Sequence, residues 1–213
     1  MQISFSVIFI MITIGVSIVA FSNRQVFDLL RFNAYLIHHN KQVWRFLSGA
    51  LIHVDFIHLA VNMYVLYMFG PPVEMYLTQW FDYSLNGPLF YLLLYIGGAI
   101  LSCLYSFEKH KKNLWYNAVG ASGAISSVVF AFIAIRPDHS LFLLFLPGIP
   151  IPAFLLGILY LLYSWFMARN KRDNVGHDAH FFGAIFGFLF MFIIQPSLFT
   201  RFIHTVVSFI TGS

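Results

Sequence analysis

Ser122 and His180 stand at the starts of two apolar segments, where polar side chains are rare. Ser122 follows Gly120 and Ala121 and precedes Gly123. A serine hydroxyl becomes a nucleophile when a neighbouring base takes its proton, and neutral histidine is the usual base. The pair therefore suits acyl transfer, provided that the fold brings the two side chains together.

A third polar group opens another apolar segment and contains His53, Asp55, His58 and Asn62. His58 and Asn62 are four residues apart, so on a helix they share one face and both can point inward. If Ser122 starts a helix, free backbone N–H groups and the positive end of the dipole favour the negative charge of a tetrahedral intermediate. These parts are sufficient for acyl transfer.

Each motif also has a simpler interpretation when it is taken alone. A Gly-x-Ser-Gly run in an apolar segment more often serves helix packing, and Ala124 departs from the Gly-x-Ser-x-Gly elbow of soluble hydrolases. His53 and His177 are equally well explained as interfacial side chains, and Asn62 as a hydrogen bond to a neighbouring helix. The combination favours catalysis, because polar groups within membrane segments are costly and usually mark function.

The composition indicates which elements must position these residues. Of the 213 residues, 60% are hydrophobic and 9% are charged, whereas soluble domains carry about 25% charged residues. This balance is typical of a membrane protein. No polar linker divides the chain, so we predict a single transmembrane domain over residues 1–213, and the single Cys103 excludes an intrachain disulfide.

Six apolar segments reach or approach the roughly 20 residues that cross a bilayer as a helix. They lie at about 3–21, 56–76, 88–107, 121–135, 149–168 and 179–194. The first lacks the basic residues that precede the apolar run of a signal peptide, so we expect it to be retained. The short tail after Pro196 is better explained as an interfacial helix than as a seventh span. The predicted fold is an all-α bundle of six transmembrane helices.

The order of the segments predicts where the polar groups lie. If every segment crosses once, the second, fourth and sixth enter from the same membrane face. The three polar groups then lie at similar depth below that face. Small residues let the fourth and sixth helices pack closely at the centre of the bundle, namely Gly120, Gly123, Ala124, Gly183, Ala184 and Gly187.

At these motifs the chain resembles the rhomboid family of intramembrane serine proteases, and the match covers nearly its whole length. In chain order, the matching stretches are Trp44-Arg45 (the first-loop Trp-Arg pair), His58 to Asn62 (the His-x-x-x-Asn entrance), Gly120 to Gly123 (the Gly-x-Ser-Gly nucleophile motif) and Ala179 to Gly187 (the Ala-His-x-x-Gly-x-x-x-Gly base motif). Their order and spacing agree with the family's six-helix layout.

The resemblance implies a catalytic pair of Ser122 and His180 with no dedicated acid, so Asp178 has no family role. It also implies an oxyanion hole formed by the Ser122 backbone, His58 and Asn62. Structural roles are implied for Trp44, Arg45, Gly120, Gly123, Gly183 and Gly187. The implied partners are transmembrane protein substrates and the lipid bilayer, with no cofactor and no metal; oligomeric state is left open.

Two positions need a separate account. Many relatives carry, four residues after the serine, an aromatic side chain that packs against the histidine ring, but this chain has Ser126 there. We expect phenylalanines of the fifth and sixth segments to position the ring instead. Glu74 lies 16 residues beyond His58, about 24 Å along a helix, so we expect it at the opposite face with a structural role.

The charges bear on partners and orientation. The net charge of +4 comes from residues scattered over short connections, not from a basic stripe, so we expect no nucleic-acid partner. Most basic residues flank the face of the polar groups, which the positive-inside rule would make cytoplasmic. In the usual bacterial members of the family, by contrast, the catalytic face lies on the outer side of the membrane. We expect a multi-pass protein of the cell membrane with this face extracytoplasmic, and the polar loop from Arg169 to Asp178 as a lid.

Other function classes remain open at this point. An inactive rhomboid-like protein would bind membrane clients without cutting them, although such members usually lack the serine or the histidine. A metal transporter or metalloenzyme would use His177 and His180, but the chain has no His-Glu-x-x-His motif and few carboxylates. A proton-coupled channel would use the same polar groups.

Overall fold

The computed structural model describes residues 4–143, 146–170 and 176–212 of the chain. Its helices are α1 Phe5–Ser22, α2 Arg24–Leu30, α3 Ala34–Asn40, α4 Arg45–Ser48, α5 Phe56–Trp80, α6 Asn86–His110, α7 Ser122–Ile135, α8 Ala153–Asn170, α9 His177–Ile194 and α10 Ser197–Thr211. Residues Gly49–Leu51 form a 3-10 turn before α5, and the strands β1 Ser140–Leu143 and β2 Leu146–Pro152 lie between α7 and α8. Most of the described chain is helical, which confirms the predicted all-α membrane bundle.

Five of these helices are long and apolar enough to cross a membrane: α1, α5, α6, α8 and α9. The chain is therefore a multi-pass membrane protein. The fourth predicted span, α7, is an apolar helix of only 14 residues, shorter than the roughly 20 that a crossing needs. The count of six spans consequently stays a prediction.

Helix α7 lies at the centre of the bundle, between α5, α6 and α9. Nearly all of its residues are buried. A side chain on Gly183 of α9 would overlap the backbone carbonyl of Gly123, and one on Gly187 would overlap the carbonyl of Ser127. The backbones of α7 and α9 therefore touch directly, which confirms that small residues bring these two helices together.

The connection from α7 to α8 differs from the prediction. The sequence predicts a helix from about residue 149, but the chain forms an antiparallel hairpin in which Ser140 pairs with Pro152. Pro150 and Pro152 lack the backbone N–H that a helix interior uses, and Gly148 adopts a φ of +99°. Counting apolar residues misses this break, because the hairpin is as hydrophobic as the helix that follows it.

The first loop is held by a buried arginine. Arg45 is 4% exposed, and its Nη1 donates to the backbone carbonyls of Asp28, at 3.0 Å, and Arg31, at 2.7 Å. Its Nε donates to Oε1 of Gln42 at 2.6 Å. These bonds fasten α4 to the end of α2. The neighbouring Trp44 is 46% exposed.

Glu74 lies near the C-terminal end of α5, where its side chain binds the start of α1. Its carboxylate accepts hydrogen bonds from the backbone N–H groups of Phe5, at 2.8 Å, and Ser6, at 3.2 Å. The hydroxyls of Ser4 and Ser6 donate to it at 2.5 and 3.0 Å. A carboxylate at a helix N-terminus satisfies otherwise free N–H groups, so the structural role expected of Glu74 is confirmed.

The tail forms α10, a helix separate from the last predicted span. It begins after Pro196, and Phe199 and Phe202 pack their rings against Phe192 and Phe188 of α9. At 15 residues it is too short to be a candidate span among the described residues. The prediction of a short tail helix is confirmed.

Candidate active site

The chain reaches Ser122 through a tight turn. Gly120 has a φ of +118°, a conformation that side-chain-bearing residues rarely adopt, and its N–H donates to the carbonyl of Gly49 at 2.9 Å. A Cβ on Gly120 would lie 2.7 Å from Cε1 of His58. Ser122 is then the first residue of α7, so the turn delivers its hydroxyl to a helix N-terminus beside the His58 ring.

The structure brings Ser122 and His180 together. Nε2 of His180 lies 2.7 Å from Oγ of Ser122, and both residues are partly buried. With the ring hydrogen on Nδ1, Nε2 accepts from the serine hydroxyl, as a general base must. The starts of α5, α7 and α9 thus meet, as their order along the chain predicts.

The His180 ring lies beside two other rings. Tyr160 of α8 lies nearly parallel to it, with an interplanar angle of 25° and ring centroids 6.3 Å apart. His177 lies edge-on, at 5.8 Å and 82°. The Tyr160 hydroxyl is 2.7 Å from Oγ of Ser126. An aromatic residue of the fifth segment was expected here, but it is a tyrosine and not a phenylalanine.

The two side chains expected to donate to the oxyanion, those of His58 and Asn62, have different surroundings. Asp55 caps α5 by accepting from the His58 backbone N–H at 2.7 Å, and the His58 side chain lies against the Gly120 turn. Asn62 is buried and donates from Nδ2 to the His58 carbonyl at 2.9 Å. Since an amide nitrogen carries two hydrogens, Asn62 keeps one for another acceptor.

His53, which the sequence left open as an interfacial residue, is fully buried. The backbone N–H of Ala121 donates to its Nε2 at 3.4 Å, so Nδ1 carries the ring hydrogen and faces Oγ of Ser17 at 3.0 Å. The Ser17 hydroxyl in turn donates to the carbonyl of Leu51 at 3.0 Å. Burial, and secondarily the nearby His58, lowers the pKa of His53 to about 4, so the ring is neutral at neutral pH.

Asp178 joins the start of α9 to α6. Its Oδ2 accepts from the Ser106 hydroxyl at 2.7 Å, and its Oδ1 accepts from the backbone N–H of Ala179 at 2.9 Å. The Tyr116 hydroxyl donates to Ser106 at 3.3 Å. The carboxylate therefore anchors the helix that carries His180. The loop expected to form a lid includes residues 171–175, which lie outside the described part of the chain.

Sequence reasoning named His53 and Ser126 but missed their contacts, namely the hydrogen bonds of His53 with Ser17 and Ala121 and the pairing of Ser126 with Tyr160. The spacing of His53 and His58 was visible, but it does not distinguish a buried ring from an interfacial one. Ser126 was visible in the sequence as the residue four positions after Ser122, where many relatives carry an aromatic side chain. Its partner lies 34 residues away on another helix, where no periodic pattern connects the two.

The sequence of this chain is similar to those of several known proteins that share one domain. A family model for the rhomboid domain matches residues 40–197, which include all the residues of the candidate site except Ser17. RHOMBOID-like protein 12, mitochondrial, of Arabidopsis thaliana is 28% identical over 153 residues, covering 65% of this chain and 42% of that protein. YdcA of Bacillus subtilis (strain 168), provisionally named a rhomboid protease, is 28% identical over 162 residues, covering 72% and 68%.

Rhomboid-related protein 1 of Caenorhabditis elegans is 26% identical over 175 residues, covering 79% of this chain and 45% of that protein. The chain thus spans less than half the length of the plant and nematode relatives and about two thirds of the bacterial one. The family model covers well over half of the chain. This chain belongs to the rhomboid family.

Proposed function

We propose that this protein is an intramembrane serine endopeptidase that cleaves transmembrane segments of other proteins with a Ser122–His180 pair. The observation that carries the proposal is the 2.7 Å separation of the serine hydroxyl and the imidazole at the starts of two helices packed backbone to backbone. A relative provisionally named a rhomboid protease supports the same reaction class.

In the proposed reaction, neutral His180 takes the Ser122 proton as the hydroxyl oxygen attacks the scissile carbonyl. The oxyanion is stabilised by the backbone N–H of Ser122, the His58 ring and the free amide hydrogen of Asn62. His180 then protonates the leaving amine, which leaves an acyl-enzyme. Water, deprotonated by the same imidazole, hydrolyses the ester and regenerates the serine.

The proposed substrates follow from the backbone chemistry of a membrane helix. A hydrogen-bonded transmembrane helix does not expose its carbonyls to attack, so a substrate must unwind locally. Small or helix-weakening residues near the membrane surface make unwinding easier. We therefore propose single-span membrane proteins with such residues as substrates, and a cell-membrane location with the start of α7 on the extracytoplasmic side.

A paired test uses the purified chain in detergent. Wild type is expected to cleave a model transmembrane substrate and to react with a fluorophosphonate probe. Ser122→Ala is expected to abolish both activities, and His180→Ala to reduce both by a factor on the order of 10³ or more, because the hydroxyl loses its base. Cleavage retained by Ser122→Ala would refute the assignment of the nucleophile.

The same test addresses the inactive alternative. A wild-type chain that binds the substrate but neither cleaves it nor reacts with the probe would be a client-binding protein. Thermal unfolding of each variant serves as the control, since a loss of activity is informative only in a folded protein.

A further inference from the structure

The orientation of the His180 ring is not determined by its hydrogen bond to Ser122. The hydrogen bond to Ser122 fixes the position of Nε2, but by itself it does not fix the plane of the imidazole. A general base must keep its lone pair aimed at the hydroxyl. Rings that lie against the imidazole contribute to holding this plane.

Tyr160 supplies such a contact from α8. Its ring is within 25° of parallel to the His180 ring, and parallel rings restrict each other's tilt. The tyrosine side chain is itself tied down, because its hydroxyl lies 2.7 Å from Oγ of Ser126. Ser126 is four residues after Ser122, one turn deeper on the same helix. The tyrosine is thus hydrogen-bonded to the helix that carries Ser122, while its ring lies beside the His180 ring.

The chemistry of this contact points to orientation and not to packing alone. Ser126 is buried, with 5% of its surface exposed, and its hydroxyl is satisfied by that of Tyr160; an alanine and a phenylalanine at these positions would leave no polar group to satisfy. The hydrogen bond between the two hydroxyls fixes the orientation of the tyrosine ring.

We propose that Tyr160, held by Ser126, is a positioning residue that sets the plane of the His180 imidazole. This proposal rests on the proposed function of the Ser122–His180 pair. It makes α8 a third contributor to the reacting geometry, beside the helices that carry the serine and the histidine.

The experiment compares Tyr160→Leu, Tyr160→Phe, Ser126→Ala and the double variant Ser126→Ala/Tyr160→Phe. The matched control is Tyr67→Leu, a tyrosine that is 63% exposed on α5. The rate of fluorophosphonate reaction at Ser122, and kcat and KM for a transmembrane substrate, are measured in detergent. Thermal unfolding is followed in parallel, so that rates are compared among folded proteins.

Removing the ring is expected to slow both the probe reaction and kcat by about 10- to 100-fold, with KM within about twofold of wild type. Tyr160→Phe keeps the ring and loses its anchor, so its rate should fall by only about 3- to 10-fold, and Ser126→Ala should match it. The double variant should be no slower than either single variant, because both remove the same hydrogen bond. The control should react as wild type does.

A Tyr160→Leu protein that reacts within about twofold of wild type would overturn the proposal. The proposal would also be overturned if the rate losses of the two single variants multiplied in the double variant, or if the substitutions changed KM and left kcat unchanged. If Tyr160→Leu does not fold, Tyr160→Phe and Ser126→Ala decide the question. A wild-type chain that neither cleaves nor reacts with the probe overturns the proposed function itself, which separates the two failures.

Discussion

At the scale of single residues, His53 joins parts of the chain that are far apart in sequence. Its ring bonds Ser17 of α1 on one side and receives the backbone N–H of Ala121 on the other. Ala121 directly precedes Ser122, the proposed nucleophile, so the position of the turn depends on a neutral His53. A protonated ring would have no lone pair to accept the Ala121 hydrogen.

The lowered pKa of His53 makes stability depend on pH in a stated direction. Unfolded, the histidine takes a proton near pH 6.5, but folded it does so only near pH 4, because burial disfavours the charged ring. Between these values the unfolded chain binds more protons, so the stabilisation present above pH 6.5 is lost progressively as pH falls towards 4. The full effect is about 3 kcal/mol.

His53→Gln tests this, because glutamine keeps a donor and an acceptor but does not titrate. Wild type should lose more thermal stability than the variant between about pH 7 and about pH 4.5. The measurement is the unfolding temperature in detergent at the two pH values. Equal losses in the two proteins would show that other groups cause the acid sensitivity.

At the scale of elements, the contact between α7 and α9 sets the distance between Ser122 and His180. Gly183 and Gly187 allow the backbones to touch, and any side chain there would push the helices apart. The two catalytic candidates lie one turn or less from the starts of these helices. A small separation of the helices is therefore transmitted directly to the hydrogen bond.

Gly187→Ala is expected to destabilise the protein by about 1–3 kcal/mol, because the new Cβ overlaps the Ser127 backbone, which cannot move aside. The probe reaction at Ser122 should slow as well. Gly15→Ala is the matched control, since Gly15 lies in α1 with no atom within 4 Å of a built Cβ. There alanine should be neutral or stabilising by up to about 1 kcal/mol. Equal unfolding temperatures for the two variants would contradict the argument.

At the scale of the whole molecule, two expectations disagree about the side of the membrane on which Ser122 lies. Basic residues surround the end that holds Ser122, including Arg24, Arg31, Lys41, Arg45, Lys109, Lys111, Lys112 and Arg169. The other end has Arg136 and Arg201. The positive-inside rule favours a cytoplasmic site, whereas the proposed location is extracytoplasmic.

Labelling of single introduced cysteines can determine the orientation of the chain in the membrane. In a Cys103→Ala background, Lys112→Cys marks the Ser122 end and Asp138→Cys marks the opposite end; both positions are exposed. A membrane-impermeant maleimide added to intact cells is expected to label Lys112→Cys, and to label Asp138→Cys only after lysis. The reverse pattern would place the site in the cytoplasm and confirm the positive-inside rule for this chain.

The features that were predictable from the sequence are those that a bilayer imposes. A membrane segment must satisfy its own backbone groups, so apolar length alone located α1, α5, α6 and α9 to within a few residues. The hairpin before α8 was missed, because prolines break a helix without lowering hydrophobicity. The Tyr160 contact was missed, because it depends on the rotation of α8 about its axis, which composition does not determine.

The shortness of α7 has a consequence for the surrounding lipid. If α7 crosses the bilayer as predicted, its fourteen residues rise only about 21 Å, which is about 9 Å less than a hydrocarbon core about 30 Å thick. A helix shorter than the hydrocarbon core is accommodated by local thinning of the bilayer, so we expect the activity proposed for Ser122 to depend on the thickness of the host membrane.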